Sequence, residues 1–258
     1  MLICPICKNA LQQKDKIFQC QNNHCFDLAS SGYLNLLLLK SSSGDNREMV
    51  NARHAFLAKG YFERLVASII SLMASLDCIK RVLDCGCGEG YFLDKCKSAF
   101  PEADFFGLDI SKYAIDKAAR KRKDILHIVA SAAKIPFSDE SFDLVINIFA
   151  PHFLEEFARV LKPGGHILKV TPGPKHLLEL KEVLYEKVYL NEIDTELPGY
   201  SLQNTSSLTY RTKISDDLHN LLKMTPYFYK TPARGLEKIS TLKELEITFD
   251  FNISLYKK

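Results

Sequence analysis

The chain has 258 residues, 47% of them hydrophobic and 25% charged, with a formal net charge of only +3. That composition supports one cored domain plus a small appendage, and it leaves any nucleic-acid partner to a local basic face rather than to total charge. The apolar patches at Tyr33–Leu39 and Leu65–Leu76 are too short or too interrupted to span a bilayer. The first residues lack a charged-then-apolar signal pattern, so no membrane partner and a cytoplasmic location are expected.

Four of the eight cysteines fall within the first 25 residues, in CPICKNALQQKDKIFQCQNNHC. Cys4 and Cys7 form a CxxC knuckle, and after twelve intervening residues Cys20, His24 and Cys25 supply a second one. Thiolates and an imidazole favour zinc over magnesium or calcium, and four protein ligands leave no open coordination position, which makes the site structural. Cys4, Cys7 and Cys20 are three of the ligands, and the fourth is His24 or Cys25. Unligated thiols are the plainer alternative, but an appendage of about forty residues buries too little apolar surface to fold without a metal or a docked neighbour. Residues 1–42 are therefore expected to form a zinc-binding, ribbon-like domain.

The polar stretch from Lys40 to Val50 reads as a hinge or surface loop, which places a boundary near residue 42. From Asn46 to Leu76 apolar residues recur at helical spacing (Met49, Ala52, Phe56, Leu57, then Leu65, Ile69, Leu72, Leu76), broken around Gly60. Two helices are predicted. This gives a helical linker region over 43–76, followed by a catalytic unit of sheet and helices over 77–258.

RVLDCGCGEGYFLDKC, Arg81 to Cys96, reads as a buried strand, a glycine turn and a helix start. Gly86, Gly88 and Gly90 let the backbone turn tightly and approach a ligand. A dinucleotide fingerprint needs glycine at its sixth position, where this chain has Tyr91. Asp84, just ahead of the turn, would repel a pyrophosphate but suits a ligand carrying an ammonium and a sulfonium, namely S-adenosylmethionine. A second acid, Asp109, closes the strand in DFFGLDIS about twenty residues after the glycines, where a carboxylate can accept ribose hydroxyls.

Further strands are expected in ILHIVAS, FDLVINIF and GHILKVTP, with helices over Lys112–Arg122 and Phe153–Leu161 between them. The alternation predicts an α/β fold with a doubly wound parallel sheet, the Rossmann-like class I methyltransferase architecture. Ser131 and Ala132 follow the third strand and fall beside the expected adenine position. Ser131 stands where such enzymes often place an aspartate, and its hydroxyl can still accept a hydrogen bond. In NIFAPHF, Asn147 and His152 reach the loop beside the methyl position: Asn147 to orient a base edge, His152 to accept a proton, or alternatively to cap the next helix. Asp143, at the opposite strand end, reads as a structural acceptor. Cys78, Cys85, Cys87 and Cys96 read as small core residues. The basic run Lys117 and Arg120–Lys123 reads first as a solvated helix end. Lys8, Lys14 and Lys16, with Arg47, Arg53 and His54, are candidates for phosphate contact. YSLQNTSSLTYRTKI and ELEITFDFNISLYKK read as strands completing the sheet, with a helix near Asp216–Met224.

The segments HCFDLASSGYLNLL, MVNARHAFLAKGYF, VLDCGCGEGYF, IFAPHFLEEFARVLKPGG and TPGPKHLLELK together resemble the ribosomal large-subunit (23S) RNA guanine-N1 methyltransferases, a family that includes macrolide-resistance members. The resemblance runs nearly end to end. It implies methyl transfer from S-adenosylmethionine to N1 of a guanine in a hairpin loop of ribosomal RNA. It implies His24 as the fourth zinc ligand, and cofactor contacts from Gly88, Glu89, His176 and the aromatic after Gly60, which is Phe62 with Tyr61 adjacent. It also implies a homodimer. His176 read without the resemblance is equally a residue capping the helix at Leu177–Tyr185. Two other classes fit the catalytic unit: a methyltransferase acting on a small quinone or phenol, against which the ribbon argues, and a non-catalytic RNA-binding protein that kept the fold, against which Asp84, the glycines and Asp109 argue.

Overall fold

The computed structural model describes residues 1–38, 45–193 and 195–258. The expected hinge from Lys40 and the boundary near residue 42 lie outside the described residues. From Arg47 onward the polar stretch is helix rather than loop.

The N-terminal segment folds as three short antiparallel strands, β1 (Gln12–Lys14), β2 (Ile17–Gln19) and β3 (Cys25–Asp27). A fourth strand, β4 (Tyr33–Asn35), does not join them. It pairs in parallel with β7 (Leu126–Val129), at the edge of the large sheet. The N-terminal segment is thus stitched into the catalytic sheet before residue 42, and the two expected domains share a sheet. Ile3 N–H also donates to Pro136 O at 2.9 Å, and Ser138 N–H to Met1 O at 2.8 Å.

The rest follows in chain order: α1 (Arg47–Leu57), α2 (Glu63–Ala74), β5 (Arg81–Cys85), α3 (Tyr91–Ala99), β6 (Asp104–Asp109), α4 (Lys112–Lys121), then β7, a 3₁₀ turn at Ala132–Lys134, β8 (Phe142–Ile148), α5 (Leu154–Val160), β9 (Leu161–Pro172), α6 (Leu178–Leu184), β10 (Ser201–Ser215), α7 (Leu218–Lys223), α8 (Ala233–Thr241) and β11 (Glu244–Lys257). Helix starts follow local chemistry. Asn46 caps α1 by accepting from Met49 N–H at 2.9 Å, and Ser111 caps α4 from Ala114 N–H at 3.4 Å. The α4 face that turns inward carries Ala114, Ile115, Ala118 and Ala119, the spacing of one helical stripe. Helix α8 was not expected from the sequence.

The sheet order is β10-β11-β9-β8-β5-β6-β7-β4, with β11 antiparallel to both of its neighbours and the remaining pairs parallel. Because side chains alternate across a strand, Val82 and Leu83 of β5 enter two different cores. One core lies under α1–α4 with Phe56, Leu65 and Ile69. The other unites Phe137, Phe142 and Phe157 with Leu2, Leu11 and Phe18 of the N-terminal segment. Truncating a fully buried leucine such as Leu83 to alanine would cost about 2–5 kcal/mol. Asp143 accepts from the N–H groups of Lys80 and Arg81 at 3.1 and 2.8 Å, and from Lys162, as a structural acceptor should. Cys85, Cys87 and Cys96 are buried, whereas Cys78 is exposed on the loop before β5. There a left-handed φ of 51° turns the chain away from the core, which corrects the expectation for that residue.

Strand order reverses beside β5, whose neighbours are β6 and β8. Ligands of open α/β sheets bind beyond the carboxyl ends of strands at that point.

Candidate active site and metal centre

In the N-terminal segment two knuckles face each other. Lys8 N–H donates to Cys4 O at 2.9 Å and Asn23 N–H to Cys20 O at 3.0 Å, and both Lys8 and Asn23 take left-handed φ values to make the turn. The ligand atoms of Cys4, Cys7, Cys20 and His24 lie within 4.8 Å of one another. The distances are 3.5 Å from Cys4 Sγ to His24 Nδ1, 3.4 Å from Cys20 Sγ to His24 Nδ1 and 3.6 Å between the Cys7 and Cys20 sulfurs. A tetrahedron with metal–sulfur bonds of about 2.3 Å has edges of about 3.8 Å, so the donor set fits zinc. The Asn9 backbone N–H holds Cys7 down to about 6, which favours the thiolate a metal needs. Cys25 is exposed and its thiol faces Asn23 O, away from the cluster. The choice between His24 and Cys25 therefore falls on His24.

At the switch point a cavity of about 1070 Å³ opens between the glycine turn, the β8–α5 turn, the start of α6 and the segment after α7. Its walls carry Phe62, Asp84, Gly86, Gly88, Glu89, Asp109, Ser131, Ala132, His152 and His176. Gly90 stands just behind as the residue opening α3, with φ +77°. Glycine is required at Gly86, where φ is +93° and an added Cβ would meet Ala150 Cβ at 2.3 Å.

Asp109 Oδ2 accepts from Gly88 N–H at 2.9 Å and Oδ1 from Ser111 N–H at 2.7 Å, so the second acid fixes the turn that the first strand begins. Burial raises Asp109 above the usual carboxylate range against these two bonds. Burial, with the nearby Asp109 adding to it, pushes Asp84 up to about 8. Glu89 is also raised by burial, against the pull of His54. Its Oε2 is buried without a hydrogen bond, although His54 Nδ1 lies 3.0 Å away. Of the three buried carboxylates around the turn, Asp109 is held by two N–H groups and Glu89 faces His54, whereas no cation offsets the burial of Asp84. S-adenosylmethionine brings an ammonium and a sulfonium, so the residues fit that cofactor.

Phe62, rather than Tyr61, lines the cavity. Tyr61 packs against Phe56 and its hydroxyl reaches Asp217. Ser131 accepts from Ala133 N–H at 3.2 Å and opens the 3₁₀ turn that carries Ala132 to the wall. His176 is 8% exposed, held neutral by burial at about 4, and its Nδ1 accepts the Asp250 N–H at 3.3 Å. It closes the cavity without capping a helix by its side chain, since α6 starts from Leu177 in a left-handed conformation. Asn147 does not reach the wall. It is 1% exposed, and its amide donates to Cys85 O and Pro151 O at 3.1 and 3.2 Å, bracing the ends of β5 and the β8–α5 turn.

Sequence reasoning missed several wall residues. The segment Met224–Tyr227 reaches the cavity through the packing of α7 on α1, and Asn191 reaches it by bonding Gly173 O and Lys181. Arg53, expected toward phosphates, lines the cavity instead, while His54 stays exposed. Arg53 pairs with Asp45 and donates to Met224 O at 3.2 Å, and His54 faces Glu89. Their place two helical turns after the Asn46 cap was the available signal. The basic run on α4 is largely spent on the fold: Lys121 and Arg122 pair with Asp94, and Arg120 pairs with Asp116.

Residues 83–168 match a family described as a methyltransferase domain, and residues 2–41 match one described as RlmA, N-terminal. YxjB of Bacillus subtilis (strain 168), which carries the name 23S rRNA (guanine-N(1)-)-methyltransferase, is 32% identical over 274 residues, covering 100% of this chain and 97% of its own. A Micromonospora griseorubida relative of the same name is 35% identical over 299 residues, covering 99% and 97%. The 23S rRNA (guanine(748)-N(1))-methyltransferase of Streptomyces fradiae is 36% identical over 188 residues, covering 71% and 67%. Among solved structures, YcgJ of Bacillus subtilis superposes with a TM-score of 0.52 at 18% identity, covering 76% of this chain and 98% of its own, a likeness of fold alone.

Proposed function

The chain belongs to the 23S rRNA (guanine-N1)-methyltransferase family, and on that footing we propose that its cleft transfers a methyl group from S-adenosylmethionine to N1 of a guanine in a hairpin loop of 23S ribosomal RNA. The observation that carries the reading is the full-length likeness to such relatives, ribbon and cleft included, in a chain whose switch-point cavity is lined by buried carboxylates and by aromatic rings.

N1 of guanine is protonated at neutral pH and lies on the pairing edge, so the base must be unpaired and turned out to be reached. When bound, S-adenosylmethionine supplies a methyl group made electrophilic by its sulfonium. The chain's own groups do the rest. Asp84 and Glu89 receive positive charge at the glycine turn, Asp109 presents its carboxylate to the ribose, and Ser131 with Ala132 borders the adenine. Phe62 and His176 wall the space between cofactor and base. His152, on the cavity wall in the turn after β8, accepts the N1 proton. Asn147 acts as a positioning residue, holding the turn that carries His152 against β5. Alignment of donor and acceptor supplies much of the rate.

The ribbon, docked by Leu2, Leu11 and Phe18 on the second core, offers Lys8, Lys14 and Lys16 to phosphates. A homodimer with two such ribbons flanking one RNA belongs to the same reading, as does a cytoplasmic site of action. Among the described residues no helix is long and apolar enough to cross a membrane.

The test is incubation with labelled S-adenosylmethionine and unmodified 23S rRNA, followed by mapping of reverse-transcription stops, because an N1 methyl blocks pairing. A single stop at a hairpin guanine supports the reading. Cofactor binding without label in free RNA or in assembled large subunits would overturn it. Activity that falls steeply with moderate salt would separate an RNA substrate from a small phenolic acceptor.

A further inference from the structure

Phe149 follows β8 directly and takes a left-handed φ of +54°, a region that a bulky side chain enters only at an energetic cost. Two contacts impose the conformation. Phe149 N–H donates to Val170 O at 3.0 Å, and the next residue, Ala150, fills the space beside Gly86 that a side chain there would need. The result is a ring presented one residue from the glycine turn. Phe149 is 42% exposed, yet it stands on the concave wall of the cavity, whereas Phe62 on the same wall is 3% exposed. Its back is supported by Phe251 at 5.7 Å, His176 at 6.1 Å and Phe62 at 6.4 Å between ring centroids, with the His176 plane inclined by only 29°.

We propose that Phe149 is the platform on which the extruded guanine stacks, so that N1 faces the methyl position; this rests on the RNA-methyltransferase reading and assigns a residue to base recognition. The geometry suits the task in two ways. A ring locked by backbone and by three aromatic neighbours loses little freedom when a base lands on it. A π face accepts a purine while leaving its pairing edge free for chemistry. The buried rings behind it stiffen the platform, because their own faces are already covered.

The chain contains no tryptophan, so Phe149→Trp introduces a single indole reporter at the platform. With the shortest 23S rRNA hairpin that the wild-type protein methylates, Phe149→Trp should keep kcat/KM within about threefold, and its emission should be quenched by that hairpin but not by one abasic at the target. Phe149→Leu keeps apolar bulk without a π face. It should lower kcat/KM for RNA by about 10- to 100-fold while the cofactor Kd stays within about twofold and the melting temperature is retained. The proposal is overturned by a Phe149→Leu protein with wild-type kcat/KM, by one whose cofactor affinity falls in parallel with its RNA activity, or by equal quenching with the abasic hairpin. A wild-type protein that binds cofactor but labels no 23S rRNA would instead remove the reading beneath it.

Discussion

The metal cluster and the cofactor cleft are built on opposite plans. The four metal ligands come from twenty-one consecutive positions, Cys4 to His24, and face one another in a closed set of donor atoms. The cleft gathers its walls from Asp45 to Tyr227 and buries three carboxylates around one turn, with Asp84 facing no cation. The first arrangement stabilises the fold once its ion is bound. The second keeps a buried carboxyl, Asp84, that costs the fold stability as it ionises and that a cationic ligand would offset.

The largest expected effect comes from opening the closed site. Chelation, or Cys20→Ser, should lower the melting temperature of the whole chain by about 10 °C or more and abolish RNA methylation, because the ribbon shares a core and a sheet with the catalytic unit. Differential scanning calorimetry showing a small separate transition, with the main one unmoved, would break the comparison by making the ribbon an independent unit. Next is Asp84→Asn, which should weaken cofactor binding by about 10- to 100-fold. The same change should stabilise the free protein. The folded value of about 8 lies above the ordinary 3.8, so the folded state keeps a proton that the unfolded chain has released across that window, and stability falls as pH rises from about 4 to about 8. At pH 8.5 the Asp84→Asn protein should therefore melt several degrees higher than wild type without cofactor, and the gap should close toward pH 4. A lower melting temperature at pH 8.5 would show that Asp84 is already paired.

A subtler consequence concerns protons. At pH 7 the free Asp84 is largely protonated, so binding a cationic ligand should release close to one proton, readable by titration calorimetry in buffers of different ionisation enthalpy. The release should vanish above about pH 9.5, and its absence at pH 7 would place the ammonium elsewhere. The smallest effect is expected at Cys25→Ser. That thiol is exposed and turned toward Asn23 O, so one zinc per chain should remain and the melting temperature should move by less than about 2 °C. Loss of the metal would reverse the choice of His24.

The two plans also differ in how far they could be read from the sequence. The knuckles were legible because their ligands are local and their spacing is set by turn geometry; spacing left open only the choice between His24 and its neighbour Cys25, which the family resemblance gave to His24 and the fold agrees with. In the cleft, Asp84, the glycines and Asp109 were legible for the same reason, each being tied to a strand end and a turn. The Met224–Tyr227 segment and its bond from Arg53 depend on helices meeting across more than a hundred residues of chain, which no local periodicity records, and Asn191 is placed by bonds to Gly173 and Lys181 that its own segment does not announce. The strand Tyr33–Asn35 was unreadable as part of the large sheet because three residues carry too little alternation to name a partner. Asn147, expected on the loop after the fourth strand, lies within β8, and a buried amide with two carbonyls in reach turns to them and away from the cavity.

The position of β11 sets an order of assembly. It lies between β9 and β10 although it follows both in the chain, so during synthesis β9 keeps an open edge and β10 has no sheet to join until β11 emerges. Asp250 of that strand fixes the TPGPKH turn: its carbonyl accepts from Gly173 N–H, its carboxylate from Lys175 N–H, and its own N–H reaches His176. A nascent chain halted before β11 would hold the glycine turn but not the opposite wall. The wall opposite the glycine turn thereby depends on β11, which follows both of its sheet neighbours in the chain.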